Sequence, residues 1–240
     1  MPVSELWSGN LKNLGIHQNY NEYKFHVPNE SLAYILNVLV SLHGNSDPFP
    51  EGVVDSVYYD TPDLYFYNQC LNGEPLKTKF RIRGYGDDSF SQLHLKGKNL
   101  FTVAEKKQPI QPISLAMVAH LDWHDIVPRG SDVEQYNAIR AHSAQYGTLL
   151  PVIRVKYYRY RFRLLDYRMT LDTNVEVSGF DNGITNHESY GVLPNHVLEV
   201  KTVDPRPHLP LLGLMRLPQI SYSKFLLGLN LLLTGDSRCY

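Results

Sequence analysis

Residues 79–86 read KFRIRGYG, and from Lys79 to Arg83 cationic and apolar side chains alternate without a break. Successive side chains of an extended chain point to opposite faces, so Lys79, Arg81 and Arg83 share one side and Phe80 and Ile82 the other. Like charges spaced this closely repel. The row faces either open water or a strongly anionic partner.

The same parity holds in other extended stretches. In EYKFH, Glu22, Lys24 and His26 oppose Tyr23 and Phe25, and in LHLKGK, His94, Lys96 and Lys98 oppose Leu93 and Leu95. VKYYRYRFR puts Val155, Tyr157, Arg159, Arg161 and Arg163 on one side. In RMTLD, Arg168, Thr170 and Asp172 oppose Met169 and Leu171, and in VLEVK, Glu199 and Lys201 oppose Leu198 and Val200. For a single strand, a solvated charged face over an apolar core is the ordinary reading. These rows, however, are mostly cationic. Many of the balancing acids sit in connecting segments, at Asp47, Asp63, Asp87, Asp88, Asp122, Asp125, Asp132 and Glu134. The expectation is one sheet surface that concentrates positive charge.

The chain as a whole is not basic: its 240 residues carry a formal net charge of −1, which argues against a protein that coats nucleic acid. A 43% hydrophobic composition is ordinary for a globular fold. Cys70 and Cys239 lie far apart with no C-x-x-C spacing, and MPVSELWSGN has no basic segment followed by an apolar run. Both observations predict a cytoplasmic protein. The apolar run FLLGLNLLL, Phe225 to Leu233, is about half the length of a bilayer crossing and predicts a packed helix. None of the 10 histidines falls in an HExxH or similar pattern, which argues against zinc. With no repeat or flexible linker, residues 1–240 read as a single domain with its core at about 21–233.

Strands are predicted at Asn21–Val27, Val53–Tyr59, Lys77–Arg83, Gln92–Lys98, Leu100–Lys106, Val152–Arg163, Arg168–Val177 and His196–Val203. A helix should follow Pro28, because Leu32, Ile35, Leu36, Leu39 and Val40 fall at helical spacing, with Asn29 as N-cap and Gly44 as stop. Helical pattern returns between Pro112 and Tyr146, and a last helix is expected over Tyr222–Leu233. The aromatic run YYDTPDLYFY reads as core, with Asp60–Asp63 opening a turn or helix. Together these elements predict an α+β domain on a largely antiparallel sheet. Closing that sheet would make its cationic surface the lining of a tunnel wrapped by helices. Unpaired Lys and Arg are too costly to bury unless water or a polyanion fills the space, and a linear phosphate chain would satisfy them.

The segments NEYKF, VYYDTPDLYFYN, KFRIRGYG, PVIRVKYYRYRF, YRMTLDTNV, VLEVKT and SYSKFLLGL resemble, in order and approximate spacing, the VTC domain. This is the catalytic domain of the eukaryotic vacuolar transporter chaperone polyphosphate polymerase, within the triphosphate tunnel metalloenzymes. The resemblance spans roughly Asn21 to Leu233 and implies a closed eight-stranded antiparallel tunnel barrel with helices outside. It implies as substrates ATP, or another nucleoside triphosphate, and polyphosphate, with Mn²⁺ or Mg²⁺ as cofactor. Lys24 matches the first-strand lysine, and Arg81 and Arg83 match the R-x-R pair. Arg159 and Arg168 match two further phosphate-binding arginines, and Lys224 the lysine opening the terminal helix. Lys98 or Lys96 matches the wall lysine, while Lys106, Arg161 and Lys201 join the substrate-binding set. Glu199 matches the metal-binding glutamate, and Glu22 is a second candidate ligand. Each acid also has a plain alternative: Glu199 could pair with Lys201 or an arginine, Glu22 could tie down Lys24, and Asp172 could be a buried partner of Arg168.

Departures from the family pattern bear on activity. His94 stands where many relatives carry an acid, as in L-E-I-K, which removes one metal ligand. In TVAEKKQ, Ala104 replaces the first basic residue of a K-E-R element and Lys106 its last; Ser221 replaces a lysine before SKF. The leading expectation is transfer of the γ-phosphate of ATP to a polyphosphate chain. The alternatives are a metal-dependent triphosphatase and a polyphosphate-binding domain without turnover. The eukaryotic relatives are coupled to a membrane segment, so a separate membrane partner belongs with the resemblance.

Overall fold

The computed structural model describes residues 20–43, 47–86, 89–99, 102–130, 133–164, 167–204 and 215–236. Nine strands form one sheet: β1 (Tyr20–Val27), β2 (Glu51–Asp60), β3 (Leu76–Tyr85), β4 (Ser89–Asn99), β5 (Thr102–Ser114), β6 (Leu150–Leu164), β7 (Tyr167–Ser178), β8 (Tyr190–Leu193) and β9 (His196–Thr202). Their order is β6-β2-β3-β4-β5-β1-β9-β7-β8, and an additional β6–β7 pairing returns the sheet to its start. Eight strands therefore form a ring in which every pairing is antiparallel, and β8 lies outside it on β7. The shortest seam is β1–β5, where Tyr20 pairs with Val103 and Asn21 with Thr102.

Period-two alternation decides what each face buries. Leu198 and Val200 of β9, with Met169 and Leu171 of β7 and Phe25 of β1, pack outside the ring under helix α1 (Leu32–His43), which contributes Ile35 and Leu39. A larger cluster gathers Val57, Tyr59, Phe80 and Ile82 with α2 (Tyr65–Leu71), α4 (Glu134–Ala144) and α5 (Lys224–Thr234). A short helix, α3 (Leu115–Val118), follows β5 directly.

The aromatic run is core and turn, as expected. The Asp60 carboxylate, fully buried, accepts from the backbone N–H groups of Thr61, Phe66 and Tyr67 at 2.8–2.9 Å and so caps α2. Several boundaries differ from expectation. Asn29 opens a 3₁₀ turn after Pro28 instead of capping α1, while Gly44 lies outside the described residues. The strand expected to end at Lys106 continues to Ser114, because β4 pairs with it as far as Ser89; helix begins only at Leu115. The last helix starts at Lys224, since Ser223 is its N-cap and accepts from Leu226 N–H at 3.2 Å. Val155, expected on the cationic face, is fully buried in the larger apolar cluster, beside a register irregularity between Lys156 and Tyr158 where α5 closes on β6.

Gly84, within the opening stretch, sits where a Cβ would overlap the Ser89 carbonyl oxygen of the facing strand. Gly84→Ala must therefore displace the β3–β4 hairpin and should cost about 1–3 kcal/mol of stability. A urea unfolding midpoint equal to that of the parent chain would refute this close approach.

Candidate functional site

The ring interior collects the charged rows. Eight cationic side chains, Lys24, Lys79, Arg81, Arg83, Lys96, Arg159, Lys201 and Lys224, line a narrow pocket of about 50 Å³ together with one carboxylate, Glu199. Tyr58, Tyr157 and Ser223 complete most of its polar wall. A larger cavity of about 610 Å³ shares Lys24, Lys79, Lys96 and Ser223 with this pocket and adds Lys77 and Lys98. On β3 and β4, Lys77 pairs with Lys98 and Lys79 with Lys96, an arrangement of like charges that is unfavourable without an anion nearby.

Four interior carboxylates offset part of this charge. Arg159 makes a two-point contact with Asp172 at 2.6 and 2.8 Å, and Lys224 reaches the same carboxylate at 2.5 Å. Arg81 reaches Glu105 at 2.6 Å. Glu22 lies 3.0 Å from Lys24 and 2.8 Å from Lys96; Glu199 lies 3.1 Å from Lys201 and 3.9 Å from Lys24. Burial and the Glu22 charge press the Glu199 carboxyl upward, yet Lys201, Lys24 and Lys96 bring it down to about 2. Burial likewise opposes ionisation of Asp172, and Arg159 and Lys224 overcome it, holding that carboxyl well below the usual range.

Arg83 is different. It is buried, and its contacts are neutral hydroxyls: Ser56 Oγ at 2.9 Å from Nε and Tyr157 OH at 3.3 Å from Nη2, with the Tyr85 hydroxyl also bonded to it. Among the described residues no carboxylate pairs with it. Lys79 is similar, held by Ser223 Oγ at 2.7 Å and set over the Phe225 ring. Burial and neighbouring lysines lower the Lys79 pKa. Tyr58 shows the same excess of charge: burial alone would raise its phenol, but Arg81, Arg83 and Lys79 bring it down to about 7.

Most residues singled out in the sequence converge here, and a few do not. Lys98 lines the larger cavity, not the narrow pocket. Arg161 lies on the interior face and donates to the Phe49 carbonyl at 3.0 Å. Arg168 is exposed near the start of β7, opposite Lys201, so it stands at the end of the cationic row and outside the pocket. The partner of Asp172 is consequently Arg159 with Lys224, not Arg168. Lys106 points the other way, toward Glu134 of α4, and its neighbour Lys107 faces inward, 3.3 Å from Glu105. Motif matching chose Lys106; the alternation Val103, Glu105, Lys107 would have chosen Lys107 and revealed Glu105. Ser221 and Ala104 add no charge, Ser221 being exposed at the larger cavity and Ala104 buried.

Described residues hold no group of three or more His, Cys, Asp or Glu side chains arranged for a metal ion. Glu22 and Glu199 supply two ionised carboxylates bridged by Lys24. Such a pair suits an ion that takes one or two carboxylates and completes its shell with substrate phosphates.

Fold and site define a class: an antiparallel eight-strand ring with a predominantly cationic interior. The VTC domain family profile matches residues 19–233, and the chain belongs to that family. A candidate adenylate cyclase of Bacillus halodurans is similar in structure at 14% identity, with a TM-score of 0.51 over 86% of this chain and 96% of that one. A candidate adenylyl cyclase of Hippeastrum, described as revealing a dominant triphosphatase activity, is similar at 17% identity, with a TM-score of 0.46 over 87% and 93% of the two chains. No curated protein matches the chain. Among the described residues no helix is long and apolar enough to cross a membrane.

Asp172→Asn leaves Arg159 and Lys224 without their shared counter-charge and should cost about 3–5 kcal/mol. Because the folded-state carboxyl is depressed, its contribution is complete above the unfolded value of about 3.9 and disappears as pH falls toward the folded value. The stability gap between parent and variant, from urea titrations, should therefore be full at pH 6 and narrow steadily below pH ~4. A gap independent of pH would refute the pairing.

Proposed function

We propose that the eight-strand ring encloses a tunnel for condensed phosphate and that the protein is a metal-dependent polyphosphate polymerase using ATP. The observation that carries this reading is the narrow pocket, lined by eight cations and one carboxylate. Burying so much uncompensated charge stabilises nothing by itself; it becomes favourable when a polyanion enters. Arg83 and Lys79, bonded only to neutral groups, are the strongest docking points, and Arg81, Arg159, Lys24 and Lys224 are set around them. In this reading Arg161, Lys201, Lys96, Lys98 and the exposed Arg168 extend the positive path away from the reacting phosphates.

Phosphoryl transfer asks little covalent chemistry of a protein: alignment of nucleophile and leaving group and neutralisation of charge carry most of it. A terminal oxygen of the polyphosphate chain bonds to the γ-phosphorus of ATP, the bond from that phosphorus to the β–γ bridging oxygen breaks, and ADP leaves. The attacking oxygen is already anionic, so no general base is required. Glu199 and Glu22 would hold Mn²⁺ or Mg²⁺, which when bound supplies additional charge neutralisation at the phosphates. Lysines and arginines keep the chain and the triphosphate in line.

A triphosphatase would instead need a carboxylate free to orient water. Glu22, Glu105, Asp172 and Glu199 are each held by cations and strongly ionised, which makes them weak bases. That favours phosphate over water as acceptor.

Incubating the purified chain with ATP and Mn²⁺ should produce long phosphate polymer, resolved on polyacrylamide gels. Free phosphate without polymer would replace this reading with the hydrolase, and neither product would leave a binding domain. Arg83→Ala removes a cation with no carboxylate partner and should reduce synthesis at least ~100-fold while far-ultraviolet circular dichroism stays unchanged. Retained synthesis would overturn its role.

A further inference from the structure

His94 is fully buried on the interior face of β4, between the cationic row and β5. Its Nδ1 lies 2.9 Å from Glu105 Oε1 and 3.3 Å from Arg81 Nη2, and its Nε2 lies 3.0 Å from the Gln92 side-chain oxygen. Burial first, and then the nearby Arg81 and Arg83 charges, lower its pKa to about 3, so it is a neutral imidazole at physiological pH. A neutral ring carries one N–H, and a carboxylate can only accept, so Nδ1 is the donor; Nε2 is then the acceptor, and the Gln92 amide must turn its NH₂ group toward it in place of its oxygen.

That one hydrogen bond bears on Arg81. Glu105 Oε1 receives both His94 Nδ1 and Arg81 Nη2, the latter at 2.6 Å, while Lys107 approaches Oε2 at 3.3 Å. Two cations thus compete for one carboxylate, one buried and the other more than a third exposed. Besides Arg81 itself, the His94 contact on the same oxygen ties Glu105 to the buried side. The guanidinium in turn is held by its Nη atoms, with Nη1 donating to Tyr58 OH at 3.1 Å. Its Nε has no partner although it is buried. Arg81 is therefore oriented through Glu105 and Tyr58, beside the His94 ring whose Nδ1 lies 3.3 Å from Nη2, and a free Glu105 would let it turn.

We propose that His94 is a positioning residue for the polyanion site: by donating to Glu105 it fixes the carboxylate that aims the Arg81 guanidinium into the ring interior. This rests on the reading of the interior as a phosphate site, and it assigns binding strength to a residue that never touches the phosphate.

Calorimetric titration of inorganic tripolyphosphate into the purified 240-residue chain tests it. His94→Asn places an amide N–H near the position of Nδ1 and should bind within about threefold of the parent, whereas His94→Leu should bind about tenfold more weakly, the scale of one hydrogen bond to a charged group. His94→Gln, whose amide reaches toward the Nε2 position, remains polar and should weaken binding as His94→Leu does. It serves as the comparison if His94→Leu fails to fold by circular dichroism. In an Arg81→Ala background the His94 substitutions should make no further difference. Equal binding by parent and His94→Gln, or the same loss with and without Arg81, would overturn the proposal while leaving the phosphate reading intact. Absence of tripolyphosphate binding by the parent chain would overturn both.

Discussion

The structure depends on one electrostatic constraint: more positive charge is enclosed than its own carboxylates neutralise. Eight cations line the narrow pocket, and four carboxylates, Glu22, Glu105, Asp172 and Glu199, stand against them. Each carboxylate serves two or more cations. Sharing keeps the ring foldable, since a buried ion with no partner costs several kcal/mol. It also leaves charge over, and the proposed binding of a polyanion rests on that remainder.

Neutral groups handle the cations that carboxylates do not reach. Arg83 rests on hydroxyls, and Lys79 rests on Ser223 and the Phe225 ring. Helix α5 is central to this arrangement. Its N-cap Ser223 holds Lys79, its first residue Lys224 holds Asp172, and the preceding Tyr222 carbonyl accepts from Lys24 at 2.7 Å. Behind them Phe225 stacks on Tyr58 and Gly228 comes close to Ile153 and Val177. One short helix thus packs an apolar body against the ring while its first turn organises charge on three strands.

Much of this was legible in the sequence. The alternation in KFRIR, LHLKGK and VLEVK identified the inward rows, and apolar spacing located α1 and α5. Other features were not legible, for identifiable reasons. Lys106 and Lys107 are adjacent and chemically alike, so only the register of β5 against β4 tells which one faces Glu105. Arg168 shares parity with Asp172, but it stands at the exposed start of its strand, and the β6–β7 pairing gives Asp172 to Arg159 instead. Val155 shares parity with Arg159 and is apolar core, because an irregular register and α5 change the character of that wall along its length.

By itself the sequence determined the two-faced strands and the order of the elements, since these follow from sterics and hydrogen bonding among residues a few positions apart. Tertiary structure decided which face is enclosed and which charge meets which. Lys24 reaches across 198 positions to Tyr222, Lys96 across 74 to Glu22, and Arg81 across 24 to Glu105. Such pairings exist only once the strands have assembled, and local pattern carries no record of that assembly.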